Sequence, residues 1–105
     1  MSIELNEEGL NDVILSGNYY QNIEILGTVS LLSAIKSGQN NLNVVVEDNT
    51  FENINVLNEI APLLAISGER AEIDNLTLIN SGCTTFLEVR ANKGKIHDII
   101  FSNVT

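Results

Sequence analysis

The chain has 105 residues, 44% of them hydrophobic, and carries 14 acidic against 5 basic residues for a net charge of −9. Five dispersed cations are not expected to form a phosphate-tracking groove, so nucleic acid and anionic membrane are poor partners and neither nucleic-acid binding nor membrane insertion is expected. No run approaches the ~18 apolar residues of a membrane span, and a lone Cys83 rules out a disulfide within the chain. Tryptophan is absent, which argues against an aromatic platform for sugar rings. The acidic surface serves solubility first, and offers cations or a basic partner an attractive field.

Ile3-Glu4-Leu5 alternates apolar and polar residues and leads into the polar Glu7-Glu8-Gly9. This acidic start is unlike a signal peptide, and residues 1–14 read as a partial preceding rung. From Leu15 a nine-residue phrase begins that recurs four times: Leu15–Ile23 (LSGNYYQNI), Val46–Ile54 (VEDNTFENI), Ile73–Ser81 (IDNLTLINS) and Ile96–Val104 (IHDIIFSNV). Its first position is always aliphatic. Its sixth is Tyr20, Phe51, Leu78 or Phe101, and its eighth is Asn22, Asn53, Asn80 or Asn103.

Between the phrases lie short apolar anchors, Leu31–Ile35, Leu63–Ile66 and Phe86–Val89. Each is followed by an expected polar turn: Ser37–Asn41, Ser67–Arg70 continuing to Glu72, and Ala91–Gly94. Val29 to Ser37 also admits a helix, with Ser30 as cap and Val29, Leu32 and Ile35 on one face. A strand is preferred because its counterparts are too short for helices. Leu42–Val46 is β-branched and reads as a buried strand. Asn55–Pro62 is an insertion relative to the last unit, with the single proline at its edge. The phrases are spaced by 31, 27 and 23 residues, within the range of stacked solenoid repeats.

In a parallel coil, equivalent residues lie about 4.8 Å apart. The spacing therefore predicts three apolar columns: Leu15, Val46, Ile73 and Ile96; Tyr20, Phe51, Leu78 and Phe101; and Ile35, Ile66 and Val89. The four eighth-position asparagines are expected to form an inward amide ladder at a bend, tolerating left-handed backbone. All of residues 15–105 fall into one all-β solenoid of about four rungs. The pattern begins and stops midway, as expected for a piece of a longer solenoid or for a domain that stacks its open ends on another copy.

The four phrases, with Phe51-Glu52-Asn53 and Phe101-Ser102-Asn103 as the most typical, resemble rungs of right-handed parallel β-helices of the pectin-lyase-like superfamily. The resemblance covers nearly the whole chain from Leu15 onward. It implies that architecture, and a place among pectate lyases, polygalacturonases, phage tailspikes or adhesin-like surface repeat proteins. The Asn-Thr-Asp, Asp-Asp, Gly-His-Gly and Arg-Ile-Lys motifs of polygalacturonases do not occur. Neither does the Gly-Gly-Ala-Ile of polymorphic outer-membrane proteins.

The second and third phrase positions supply the candidate site. Glu47, Asp48, Asp74 and Asp98 would gather on one outer face, and hard oxygen ligands from neighbouring strands are what Ca²⁺ requires. The competing reading is a column of solvated turn residues. His97 lies in the same column. Asp74 and Asp98 flanking a sugar bond would make a glycosidase pair, but the basic residues a lyase needs, Arg70, Arg90 and Lys95, are expected in turns or on another strand. Cys83 reads as a small filler, and Asn75 and Asn103 head glycosylation sequons. The expectation is a non-catalytic structural and binding segment of an extracellular or surface adhesin-like protein. Loops 25–30 and 55–62 would contact glycans or surface proteins. The alternative is the core of a polysaccharide lyase or glycoside hydrolase.

Overall fold

The computed structural model describes residues 2–5, 11–36 and 42–105, and the side chains of 12–33 and 42–105. The expected turns at Glu7–Gly9 and Ser37–Asn41 lie outside the described residues. The described elements are all strands: β1 (Ser2–Leu5), β2 (Asn11–Ser16), β3 (Tyr19–Ile25), β4 (Leu32–Lys36), β5 (Leu42–Val56), β6 (Leu64–Ser81) and β7 (Leu87–Val104). Every pairing is parallel: β1 with β4, β4 and β5 with β6, β2 and β3 with β5, and β6 with β7. The chain is a parallel β-solenoid of about three turns. Four phrases mark four passes along one side, and three turns separate them, so the count falls below the four rungs expected.

The phrase bends at two corners. Its third position is Gly17, Asp48, Asn75 and Asp98, and its eighth is Asn22, Asn53, Asn80 and Asn103. All eight residues have φ between 49° and 69°. Only glycine, asparagine and aspartate visit this left-handed region at low cost, which explains the composition of both positions. Each corner inserts one extra outward residue and resets the inward-outward alternation. In β5, Leu42, Val44 and Val46 point inward, Asp48 turns the corner, Asn49 and Phe51 point inward, Asn53 turns again, and Ile54 and Val56 follow. Two of the expected columns form as aligned, Leu15 through Ile96 and Tyr20 through Phe101.

The core is built from buried Leu32, Leu42, Val44, Val46, Phe51, Ile54, Leu63, Leu64, Ile66, Ile73, Leu76 and Leu78. Tyr20 stacks on Phe51 at 5.1 Å between ring centroids. Phe86, from the anchor side, meets both Phe51 and Phe101 edge-on at 6.0 and 5.4 Å and spans the gap left by Leu78. Such aromatic contacts add about 0.5–1.5 kcal/mol each beyond area burial.

Three expectations are corrected. The third column runs through Ala34, Ile66 and Val89 rather than Ile35, because Leu32 registers with Leu64 and Leu87 without a gap. Residues 69–72 and 91–94 are not turns: β6 and β7 run straight through them. Their outward residues are polar and their inward ones, Ala71 and Gly94, are small, so the strand lacks apolar alternation. The asparagine ladder is exposed, not inward, and it forms in pairs. Asn53 Nδ2 donates to Asn22 Oδ1 at 2.8 Å and Asn103 Nδ2 to Asn80 Oδ1 at 2.9 Å. The Asn53 oxygen accepts from Asn55 Nδ2 at 3.4 Å.

Two polar side chains are buried and satisfied. Asn49 Oδ1 accepts from the Asn18 amide at 3.0 Å, while its Nδ2 donates to the carbonyls of Leu15 and Glu47 at 2.9 and 3.0 Å. Ser81 Oγ donates to the Ile79 carbonyl at 2.8 Å and accepts from the Ile54 amide at 3.0 Å. Gly68 permits the closest backbone approach: a Cβ there would lie 2.6 Å from the Leu42 carbonyl oxygen. The corner after each phrase varies in length. Seven residues separate Glu24 from Leu32, eight separate Asn55 from Leu64, and four separate Gly82 from Leu87, although the flanking positions stay in register.

Candidate functional site

The acidic column resolves into two arrangements. Ser16, Glu47, Asp74 and His97 are in register on the outer facet, and the third-position corners lie beside them. His97 Nδ1 lies 2.9 Å from Asp74 Oδ1 and 3.5 Å from Asp98 Oδ2. The contact with Asp74 is an ion-pair approach without hydrogen-bond alignment. One ligand atom from each of Asp74, His97 and Asp98 falls within 4.8 Å of the others. Asp48 is engaged elsewhere, its Oδ1 accepting from Asn75 Nδ2 at 2.8 Å. Among the described residues, neither Glu47 nor Asp48 joins that three-residue group.

This group differs from the expected Ca²⁺ column, of whose four residues it holds Asp74 and Asp98. Calcium takes 6–8 oxygens, whereas two carboxylates centred on an imidazole nitrogen form a short mixed set of the kind transition metals prefer. The histidine ring nitrogen occupies the place between the two carboxylates.

Beside this group, strands β5, β6 and β7 form an open groove of about 500 Å³. Arg70, Lys93 and Lys95 line it with Glu72, Asn43 and Asn92. Three of the chain's five cations therefore gather on one facet, on strands rather than in turns. Asn43 Nδ2 donates to Asp12 Oδ1 at 3.1 Å and Asn92 Nδ2 to Glu69 Oε2 at 2.7 Å, which fixes the polar rim. Arg90 stands apart, paired with Glu88 at 3.0 Å.

The two loops expected to make contacts are joined to each other. The Leu57 amide donates to the Ile25 carbonyl at 3.0 Å, and Asn58 Nδ2 donates to the Gly27 carbonyl at 2.6 Å. Asn58 Oδ1 also accepts from the amides of Ile60 and Ala61 at 3.0 and 2.7 Å, closing the turn ahead of buried Pro62. On this braced pair, Leu26, Val29, Leu57 and Ile60 are 60–80% exposed.

Burial raises the Cys83 thiol above its usual value, which removes thiolate and supports the filler reading. Tyr19 donates to Glu52, and that bond raises the phenol. Asn75 and Asn103 are both exposed corner residues. Sequence reasoning missed Asn49 and Phe86 as structural centres. The fixed fourth-position spacing of Asn18 and Asn49 was the available signal for the first, and Phe86 carried none beyond its size. No protein-family model, curated protein or solved structure matches this chain.

Proposed function

We propose that this solenoid is a non-catalytic structural and binding module of a secreted or surface-displayed, adhesin-like protein of the pectin-lyase-like type. Its braced loops would seat an apolar surface on a partner protein. The observation behind this reading is the loop pair 26–30 and 57–62, where hydrogen bonds hold four exposed aliphatic side chains on a rigid support. Exposed apolar groups on a preorganised loop favour contact with another protein, since little ordering entropy remains to be lost. Aliphatic side chains without tryptophan make a poorer platform for sugar rings.

The test is adhesion of beads coated with the chain to arrayed proteins and glycans, compared with the Leu57→Asp, Ile60→Asp variant. Retention on protein surfaces should fall about tenfold or more in the variant, with the melting temperature kept. Unchanged retention, or binding confined to glycans, would refute the loop reading.

A second reading, the core of a polysaccharide lyase or hydrolase, draws on the groove in which Arg70, Lys93 and Lys95 stand beside the Asp74–His97–Asp98 group. Release of unsaturated or reducing ends from polygalacturonate, lost in Lys93→Ala, would establish it over the first.

A further inference from the structure

Among the described strands, the stack has two unpaired edges: β7 pairs only with β6, and β2 and β3 pair only with β5. On β7 the column residues Ile96 and Phe101 and the outward Ile100 are each more than half exposed, although their counterparts Ile73 and Leu78 in β6 are fully buried. An edge of unpaired backbone groups flanked by apolar columns is a template for a further strand.

Charge identifies what fits there. Strands β2 and β3 carry Asp12 and Glu24 and neither lysine nor arginine. Strand β7 carries Arg90, Lys93 and Lys95 against Glu88 and Asp98. The two edges are therefore of opposite sign, acidic on β2 and β3 and net basic on β7.

The register sharpens this. Asp12 aligns through Asn43 and Arg70 with Lys93, so a second copy stacked one strand spacing beyond β7 would set its Asp12 against Lys93. The same operation sets Leu15 on Ile96, Tyr19 beside Ile100, Tyr20 on Phe101, and Asn22 on the free side of Asn103. Both apolar columns of the phrase and the asparagine corner continue across the junction.

We propose that β7 of one copy accepts β2 and β3 of a second copy in parallel register, building head-to-tail assemblies. The contact is heterologous, so it leaves the same two faces open and propagates as an open filament rather than closing as a dimer. It is separate from the loop surface assigned above to other partners.

Sedimentation of the 105-residue chain should show species growing beyond dimers with concentration, and shrinking with added salt as the Asp12–Lys93 pairing is screened. Asp12→Lys and Lys93→Glu each oppose like charges and should weaken assembly about three- to tenfold. Mixing the two restores opposite charges at every junction and should restore assembly.

Register is read with Gln21→Cys, Ser102→Cys in a Cys83→Ala background. These positions align through Glu52 and Ile79. They lie about 14 Å apart within one chain, beyond disulfide reach, and about 4.8 Å apart across the proposed junction. Oxidation should give a ladder of linked oligomers that Gln21→Cys, Ile60→Cys does not give. A chain that stays monomeric, stops at dimers, or cross-links equally in the control overturns the proposal.

Discussion

Replacing Asn53 separates the two roles the corner asparagines combine. Asn53 sits at φ 54° and donates Nδ2 to Asn22 Oδ1 at 2.8 Å in an exposed position. A left-handed conformation costs an ordinary side chain about 1–2 kcal/mol, a penalty that asparagine softens and glycine avoids. The exposed amide bond contributes about 0.5–1 kcal/mol. Asn53→Leu forfeits both and should destabilise the fold by about 1.5–3 kcal/mol, whereas Asn53→Gly forfeits only the bond. In a domain of this size 1 kcal/mol moves the melting temperature by about 4–8 °C, so leucine should lower it by roughly 6–24 °C and glycine by roughly 2–8 °C. Circular dichroism melts of the two variants beside the parent decide the matter. Equal losses in both would refute the corner argument, and an unchanged leucine variant would refute the ladder as well.

Gly68→Ala places a Cβ within 2.6 Å of the Leu42 carbonyl oxygen, a backbone atom that cannot swing aside. A loss of about 1–3 kcal/mol in denaturant unfolding is expected, and neutrality would show that β5 and β6 slide freely there. Asn49→Leu removes the acceptor of the Asn18 amide and a donor to the Leu15 and Glu47 carbonyls, and puts an apolar side chain among these half-buried groups. It should cost on the order of 3 kcal/mol even though leucine stands at the equivalent position in β6. Raising the pH should melt the fold earlier. Burial raises the Cys83 and Tyr20 groups above 9.0 and 10.0, and Tyr19 rises above 10.0 chiefly through its bond to Glu52. Groups raised in the folded state hold their protons longer than the unfolded chain does, so their stabilisation is intact below about pH 9 and fades as pH climbs through the folded values. Tyr19→Phe and Cys83→Ala should flatten that decline; an alkaline melting curve that does not respond to either variant would contradict it.

The phrase was legible because its corners are chemically restricted. Left-handed backbone admits few residue types, so asparagine at 22, 53, 80 and 103 announced a bend before any fold was assumed. The interiors of β6 and β7 were less legible. Around Arg70 and Lys93 the inward residues are Ala71 and Gly94, and without large apolar side chains the period of two vanishes into what reads as a polar turn. That misreading hid the groove, because its cations were assigned to turns. Ile35 misled for the opposite reason: a large aliphatic residue next to a small one drew the column to itself, although the backbone register selects Ala34. The contact of Asn58 with Gly27 joins residues 31 apart, and nothing local to either loop encodes it. The meeting of Asp74, His97 and Asp98 was half visible, since the alignment gave the column but not which carboxylates the histidine would draw in.

The unequal corners carry a consequence for how such a protein can change. Eight residues span the connection from Asn55 to Leu64 and four span that from Gly82 to Leu87, while the strands on either side keep the same partners. Connection length is thus uncoupled from scaffold geometry, and doubling a loop costs only about 0.6 kcal/mol in closure entropy. This edge of the molecule behaves as a row of exchangeable cassettes. A peptide grafted between Thr84 and Thr85, both exposed in the shortest connection, would be displayed directly alongside the Leu57–Ile60 loop without disturbing a single rung. New specificities can therefore accumulate on one side of the coil while the columns that hold it together remain under unchanged selection.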